Sequence, residues 1–365
     1  MRTTFSSMVL WGIVASMVAG CTPAAGVVPH TPSERISGAD GEAESRAPVA
    51  SDDADSTGRS DRRSARKDVA RTWEVAVVSD LNGSYGSTDY DRETRAAVDW
   101  LTNEVEPDAV VSTGDMVAGQ KAGLDYEAMW HAFHEEVTDP LAAAGIPLAV
   151  TPGNHDAAPG SDYVDERVTY VDQWTQQRPD LDYVDDTFYP LHYAFELGPV
   201  LFVSLDATTV GPLDDEQLAW LDEVLTEHAD SPFKVVFGHV PLYPFTEEKV
   251  SEVLGDKDLE QLLGEHDVDM MLSGHHHAYY PGKRDDLRLV GMSCLGSGSR
   301  TLVGDDGVSE KSVALLRFDT DGTEISVDAF DPTDRDRIER DSLPPHLNSG
   351  TQRIWRDDVV QRASK

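Results

Sequence analysis

Asp80, Asp115, Asn154, His239, His275 and His277 each stand just after a short apolar run and offer carboxylate, amide or imidazole donors. Hard oxygen and softer nitrogen ligands in one set suit divalent cations of borderline hardness. Gly114, Gly153, Gly238 and Gly274 precede these residues and let the backbone turn sharply. A carboxylate carries two oxygens, so one Asp can bridge two cations about 3.5 to 4 Å apart, the spacing that clamps a phosphoryl group during in-line displacement. Asp115, from the middle of the set, is the candidate bridge. In open α/β sheets the ligand crevice lies past the carboxyl ends of the strands, so these clusters are expected to converge.

The elements that must position them read as strands alternating with helices. The β-branched run Glu74 to Val78 ends at Ser79-Asp80 and predicts a buried strand. Ala97, Trp100, Leu101 and Val105 share one face of a helix predicted over Asp91 to Val105 and stopped by Pro107. Ala109 to Ser112 and Pro147 to Thr151 predict strands leading into Gly114-Asp115 and Gly153-Asn154-His155-Asp156, with a helix over Tyr126 to Ala144 between them. Val200 to Leu205 predicts a further strand, and Leu218, Leu221, Val224 and Leu225 stripe the helix after it. Lys234 to Phe237 and Met270 to Leu272 lead into Gly238-His239 and Gly274-His275-His276-His277, and Ser312 to Phe330 reads as a hairpin around Asp321-Gly322. His276, the middle of an extended triplet, should point away from its neighbours and reads as a surface residue, as does His266. Gly296-Ser297-Gly298 reads as a turn, and Arg300 as an exposed arginine that meets a carboxylate. The aromatics of the insert, Tyr163, Tyr170, Trp174, Tyr183 and Tyr189, are expected to pack it.

Taken in order, Gly114-Asp115, Gly153-Asn154-His155-Asp156, Gly238-His239 and Gly274-His275-His276-His277 resemble the motifs of the calcineurin-like phosphoesterases, over roughly residues 73 to 330. The resemblance implies an α/β fold, a four-layer α/β/β/α sandwich of two stacked mixed sheets. It implies two divalent or mixed-valence metal ions, manganese, iron or zinc. Asp80, Asp115 and His277 would hold the first, and Asp115, Asn154, His239 and His275 the second. It implies a phosphomonoester or phosphodiester as substrate, with a metal-activated hydroxide as nucleophile. His155 would bind no metal but sit beside the ester, where an imidazole can protonate the leaving group or steady the phosphoryl oxygens. The family's first motif is Asp, any residue, His, whereas this chain has Asp80-Leu81-Asn82. Asn82 therefore stands in the first metal's histidine position, where it can coordinate through its carbonyl oxygen or hold a water ligand. It also supports a second reading, an envelope lipoprotein that binds metal or a partner with little turnover. Purple acid phosphatases carry a Tyr where this chain has Ala118, so a tyrosinate-bound ferric centre is not expected.

With 67 acidic against 30 basic residues and a formal charge of -37, the chain repels nucleic acid phosphates, which excludes a nucleic acid duplex as partner. Its N-terminus runs from Met1 and Arg2 through an apolar stretch, Met8 to Val18, to small residues, the layout of a cleaved export signal over 1–20. Val18-Ala19-Gly20-Cys21 resembles a bacterial lipobox, which implies acylation of Cys21, a lipid bilayer as partner and a place in the cell envelope. Thr22 favours the outer membrane or cell surface. Residues 21–71, poor in large apolar side chains, read as a disordered tether. Residues 72–331 form the expected metallophosphoesterase domain, and 332–365 a polar extension with Trp355 as its one anchor. Once Cys21 is acylated only Cys294 remains as a thiol, so the fold must rest on its core rather than on a disulfide.

Overall fold

Along β1 (Trp73–Val78), Val75 and Val77 face one side while Ala76 and Val78 face the other, and all four are buried. A strand apolar on both faces must be covered on both. Val75 and Val77 join Val111 of β2 (Ala109–Ser112) and Ala149 of β3 (Leu148–Val150) in a core shared with Phe202, Phe237 and Leu272 of a second sheet. Ala76 and Val78 instead meet Leu101, Trp130 and Phe133 from the helical layer. The second sheet repeats this on its outer face, where Val203, Val236 and Met271 pack on Leu221 and Leu225 of the helix Asp215–Glu227 and on Leu259 and Leu263 of the helix Lys257–Glu265. Alternation along the strands thus generates the four-layer α/β/β/α sandwich.

The computed structural model describes residues 72–296, 298–319, 324–349 and 352–359. The export signal, Cys21, the tether and the Asp321-Gly322 turn lie outside the described residues. The second sheet continues the strand series with β4 (Asp182–Phe188), β5 (His192–Leu197), β6 (Val200–Ser204), β7 (Phe233–Gly238), β8 (Met270–Ser273), β9 (Tyr280–Arg284) and β10 (Leu287–Gly291). The chain then returns to the first sheet through β11 (Val313–Phe318) and β12 (Ile325–Phe330), which gives the order β12-β11-β1-β2-β3. Both sheets are mixed: β1, β2 and β3 are parallel, as are β6, β7, β8 and β10, whereas β11, β12, β4, β5 and β9 pair antiparallel. The parallel strands are the ones whose carboxyl ends carry the predicted donors.

The helix expected over Tyr126 to Ala144 is three pieces, Tyr126–Phe133, a π turn at His134–Thr138 and Asp139–Ala143, the last with a proline in its first turn. Proline offers no N–H to the ladder, so the hydrogen-bond register shifts where it enters.

The polar extension is corrected. β13 (His346–Ser349) and β14 (Gln352–Arg356) form a hairpin, and β14 pairs with β9 at the margin of the second sheet. Its anchors are the directly paired Leu347 and Ile354, 1 % and 2 % exposed, whereas Trp355 is half-buried. Two apolar residues facing each other across strands are enough to dock a hairpin on an open sheet edge, and polar neighbours hide them in the sequence.

Candidate metal centre

Four of the predicted donors have left-handed backbone: Asp80 (φ 50°), Asp115 (φ 55°), His275 (φ 64°) and His277 (φ 51°). Such conformations are sparsely populated for any side-chain-bearing residue and persist only where the surroundings impose them. The surroundings here are close-packed turns. A Cβ on Gly153 would fall 2.2 Å from the Asp115 amide nitrogen, and one on Gly274 would fall 2.3 Å from Ser79 Oγ, so neither turn admits a side chain.

Asp80, Asp115 and His277 bring one ligand atom each within 4.8 Å of one another. Thr113 Oγ1 donates to Ser79 Oγ at 2.6 Å, and Ser79 Oγ to Asp80 Oδ2 at 2.6 Å, which also accepts from the His275 amide at 3.1 Å. The other oxygen, Oδ1, lies 3.0 Å from His277 Nε2, yet it is buried and makes no hydrogen bond. Proximity without hydrogen-bond geometry is what donors aimed at a shared cation show. The Gly298 carbonyl, 2.9 Å from His277 Nδ1, accepts a hydrogen bond from that nitrogen, which leaves Nε2 as the nitrogen facing Asp80.

Asn154 and His239 also gather at Asp115. Its Oδ1 accepts from the His155 amide at 2.8 Å, and its Oδ2 lies 3.2 Å from His239 Nε2. Asn154 Oδ1 is 3.0 Å from the same nitrogen, and Asn154 Nδ2 donates to Gln120 Oε1 at 3.1 Å, which sets the amide's orientation. His239 Nδ1 donates to the Thr113 carbonyl at 2.8 Å, again leaving Nε2. His275 stands outside the tight trio, and its Nε2 is 3.0 Å from Glu252 Oε2 and 3.3 Å from Lys249 Nζ. Two lone pairs do not sit that close, so Nε2–H donates to Glu252 and Nδ1 is the atom left for a metal. Asn82 Nδ2 donates to the Val117 carbonyl at 3.2 Å, which lashes two site loops together.

The field is that of a cation site. Burial opposes ionisation of Asp80, but His277 and then His239 hold its carboxyl below the ordinary value. Burial acts the same way on Asp115, where His239 and His155 outweigh it and lower the carboxyl. The same pairs work on the imidazoles: against burial, the Asp115 carboxylate raises His239 to about 9 and Asp80 raises His277 to about 10. Burial, followed by the charges of His239 and Lys249, pushes His275 down.

Several residues enter that sequence reasoning left without a role. Asp156 is fully buried, accepts from the Met116, Val117 and Gly153 amides at 2.8, 2.9 and 2.9 Å, and so ties two ligand loops; burial, with Asp115 beside it, raises its carboxyl to about 8. Its place three residues after Gly153 in a tight turn was the available signal. Glu252 and Lys249 come from a polar loop with no signal at all.

His276 is corrected from surface to core. It is fully buried; its Nδ1 accepts from the Phe245 and Thr246 amides at 3.1 and 3.3 Å, and its Nε2 donates to the Glu252 carbonyl at 3.0 Å. Burial lowers it to about 4, so the neutral ring pins the loop from Phe245 to Glu252. His266 is half-buried, 2.6 Å from Asp222. Arg300 is half-buried too and, among the described residues, meets the His275 carbonyl at 3.5 Å and pairs with no carboxylate.

A calcineurin-like phosphoesterase family model matches residues 74–279. No curated protein matches the sequence. Among solved structures, purple acid phosphatase PPD1 from yellow lupin (Lupinus luteus) seeds is similar at a TM-score of 0.59 and 16% identity, over 74% of this chain and 53% of that one. This chain therefore spans about half the length of the lupin enzyme. GAP50, the anchor in the inner membrane complex of Plasmodium, has a TM-score of 0.51 at 15% identity, over 73% of this chain and 87% of that one. A dimetal phosphatase from Danio rerio reaches 0.46 at 16% identity, over 70% of this chain and 98% of that one. At such identities the likeness to solved structures is one of fold, whereas the family model covers over half of the sequence and spans the strand ends just described: the chain belongs to the calcineurin-like phosphoesterases.

Proposed function

We propose that this protein is an exported, lipid-anchored hydrolase of phosphate monoesters or diesters. The observation that carries the reading is the buried trio Asp80, Asp115 and His277 with an orphaned carboxylate oxygen at its centre, a donor set fitted to a divalent cation. Asp80, Asp115 and His277 would hold one ion, and Asp115, Asn154, His239 and His275 a second. When bound, the ions supply Lewis acidity for the phosphoryl oxygens and activate water. Asp115 accepts a hydrogen bond from the His155 amide and thereby holds that residue beside the donor set, while the Gly119 carbonyl, 3.3 Å from Nδ1, accepts a hydrogen bond from the ring. With both ring nitrogens protonated, the His155 imidazolium would keep its Nδ1–H on Gly119 and give its Nε2 proton to the leaving-group oxygen. Anchoring is supported by the Val18-Ala19-Gly20-Cys21 motif.

Hydrolysis of p-nitrophenyl phosphate and of its bis ester, by metal-free protein and with manganese, zinc or iron, tests the reading. Metal-dependent turnover that His155→Ala reduces and Asp115→Asn abolishes is expected, and the preferred ester assigns the class. Absence of turnover with every metal would replace the hydrolase by the binding lipoprotein that Asn82 suggests. Radiolabelled palmitate should enter the parent and not Cys21→Ser.

A further inference from the structure

Tyr85 stands at the rim of the centre, 56% exposed, with its ring centroid 5.4 Å from that of His155 and the planes tilted by 47°. Lys121 Nζ flanks the same ring at 5.9 Å from its centroid. A ring this exposed adds little to folding, because the hydrophobic gain scales with the area removed from water. Its loop is nevertheless tied down. The Gly86 amide donates to the Ala118 carbonyl at 2.9 Å and the Ser87 amide to the Ser84 carbonyl at 2.9 Å. Asn82 adds its bond to Val117, and Gly86 takes a left-handed φ of 78° with Leu124 against it. On the facing loop, the Gly119 amide donates to the His155 carbonyl at 3.0 Å while the His155 ring returns a bond to Gly119. Backbone bonds on both sides thus hold an exposed aromatic against the imidazole assigned to the leaving group.

We infer that Tyr85 is the platform for the leaving group, and that the favoured ester carries a flat aromatic one, an aryl alcohol or a nucleoside. The inference rests on the hydrolase reading. Stacking on an aromatic side chain tolerates many ring types and is lost when the ring is removed. The ring lies beside the imidazole assigned to protonate the departing oxygen, so a group stacked on it would present that oxygen to His155. The hydroxyl of Tyr85 plays no part in this.

The test compares kcat/KM for phenyl phosphate, adenosine 5′-monophosphate and glycerol 3-phosphate in the manganese-loaded full chain and in its Tyr85→Ala and Tyr85→Phe variants, with melting temperatures as a folding control. Tyr85→Ala is expected to lower the aromatic-to-aliphatic preference about tenfold, mainly through KM, as loss of one stacked ring predicts, and Tyr85→Phe to retain it. A fall confined to the nucleotide supports a nucleoside, and a fall for both aromatic esters supports any aryl group. An unchanged preference, or an equal loss of kcat for all three esters, overturns the platform and leaves the hydrolase standing. No turnover of any ester by the parent overturns both.

Discussion

The Asp80 end of the centre and the His275 end use the same kinds of donor and are supported in opposite ways. Around Asp80 three supports are buried groups close to the sheet, Ser79, Thr113 and the His275 amide, and only the Gly298 carbonyl behind His277 is exposed. Behind His275 stand Glu252 and Lys249, whose side chains are 42% and 15% exposed, on a loop pinned by His276. One end is completed by the fold itself, and the other by a loop that the fold merely tethers. Disturbing the first should therefore cost stability, and disturbing the second should cost affinity.

Asp115 belongs to both ends, so Asp115→Asn should have the largest effect, a loss of more than about a hundredfold in turnover and in metal retention, read by kinetics and elemental analysis. Gly274→Ala strikes the Asp80 end, where the new Cβ would meet Ser79 Oγ and Asp80 Oδ2. We expect it to destabilise the protein by about 1–3 kcal/mol in denaturant unfolding and to release one ion. If stability holds and affinity alone falls, the contrast between the ends is wrong. Glu252→Gln removes the carboxylate behind His275 and should weaken one ion about tenfold by metal titration, with unfolding changed by less than about 0.5 kcal/mol. Lys249→Met should do least, since a partly exposed ion pair contributes about 0–1 kcal/mol and the ammonium faces no metal-binding atom. A collapse of metal binding in that variant would make Lys249 a support equal to Glu252.

Much of the centre was legible because each donor follows a local pattern, a short apolar run that exits through a glycine at every donor cluster except Asp80, which follows Ser79. Asp80, Asp115, Asn154, His239 and His277 come together as that pattern implied. His276 was misread for a stated reason: alternation of side chains holds on extended backbone, and both neighbours here are left-handed, which turns the middle ring inward. The C-terminal hairpin escaped notice because its burial rests on the single Leu347–Ile354 pair. Tyr85 lies in no pattern that marks it in the sequence and matters only through its position beside His155.

The sequence by itself determined the strand exits, the donor chemistry and the layered alternation, because these depend on residues a few positions apart. Tertiary structure alone decided which nitrogen of each histidine is free, which acid stands behind His275 and which ring borders His155. Those choices depend on groups far apart in the chain, such as Asp80 and the His275 amide, 195 residues apart and 3.1 Å from each other, and no local propensity encodes a partner at that distance.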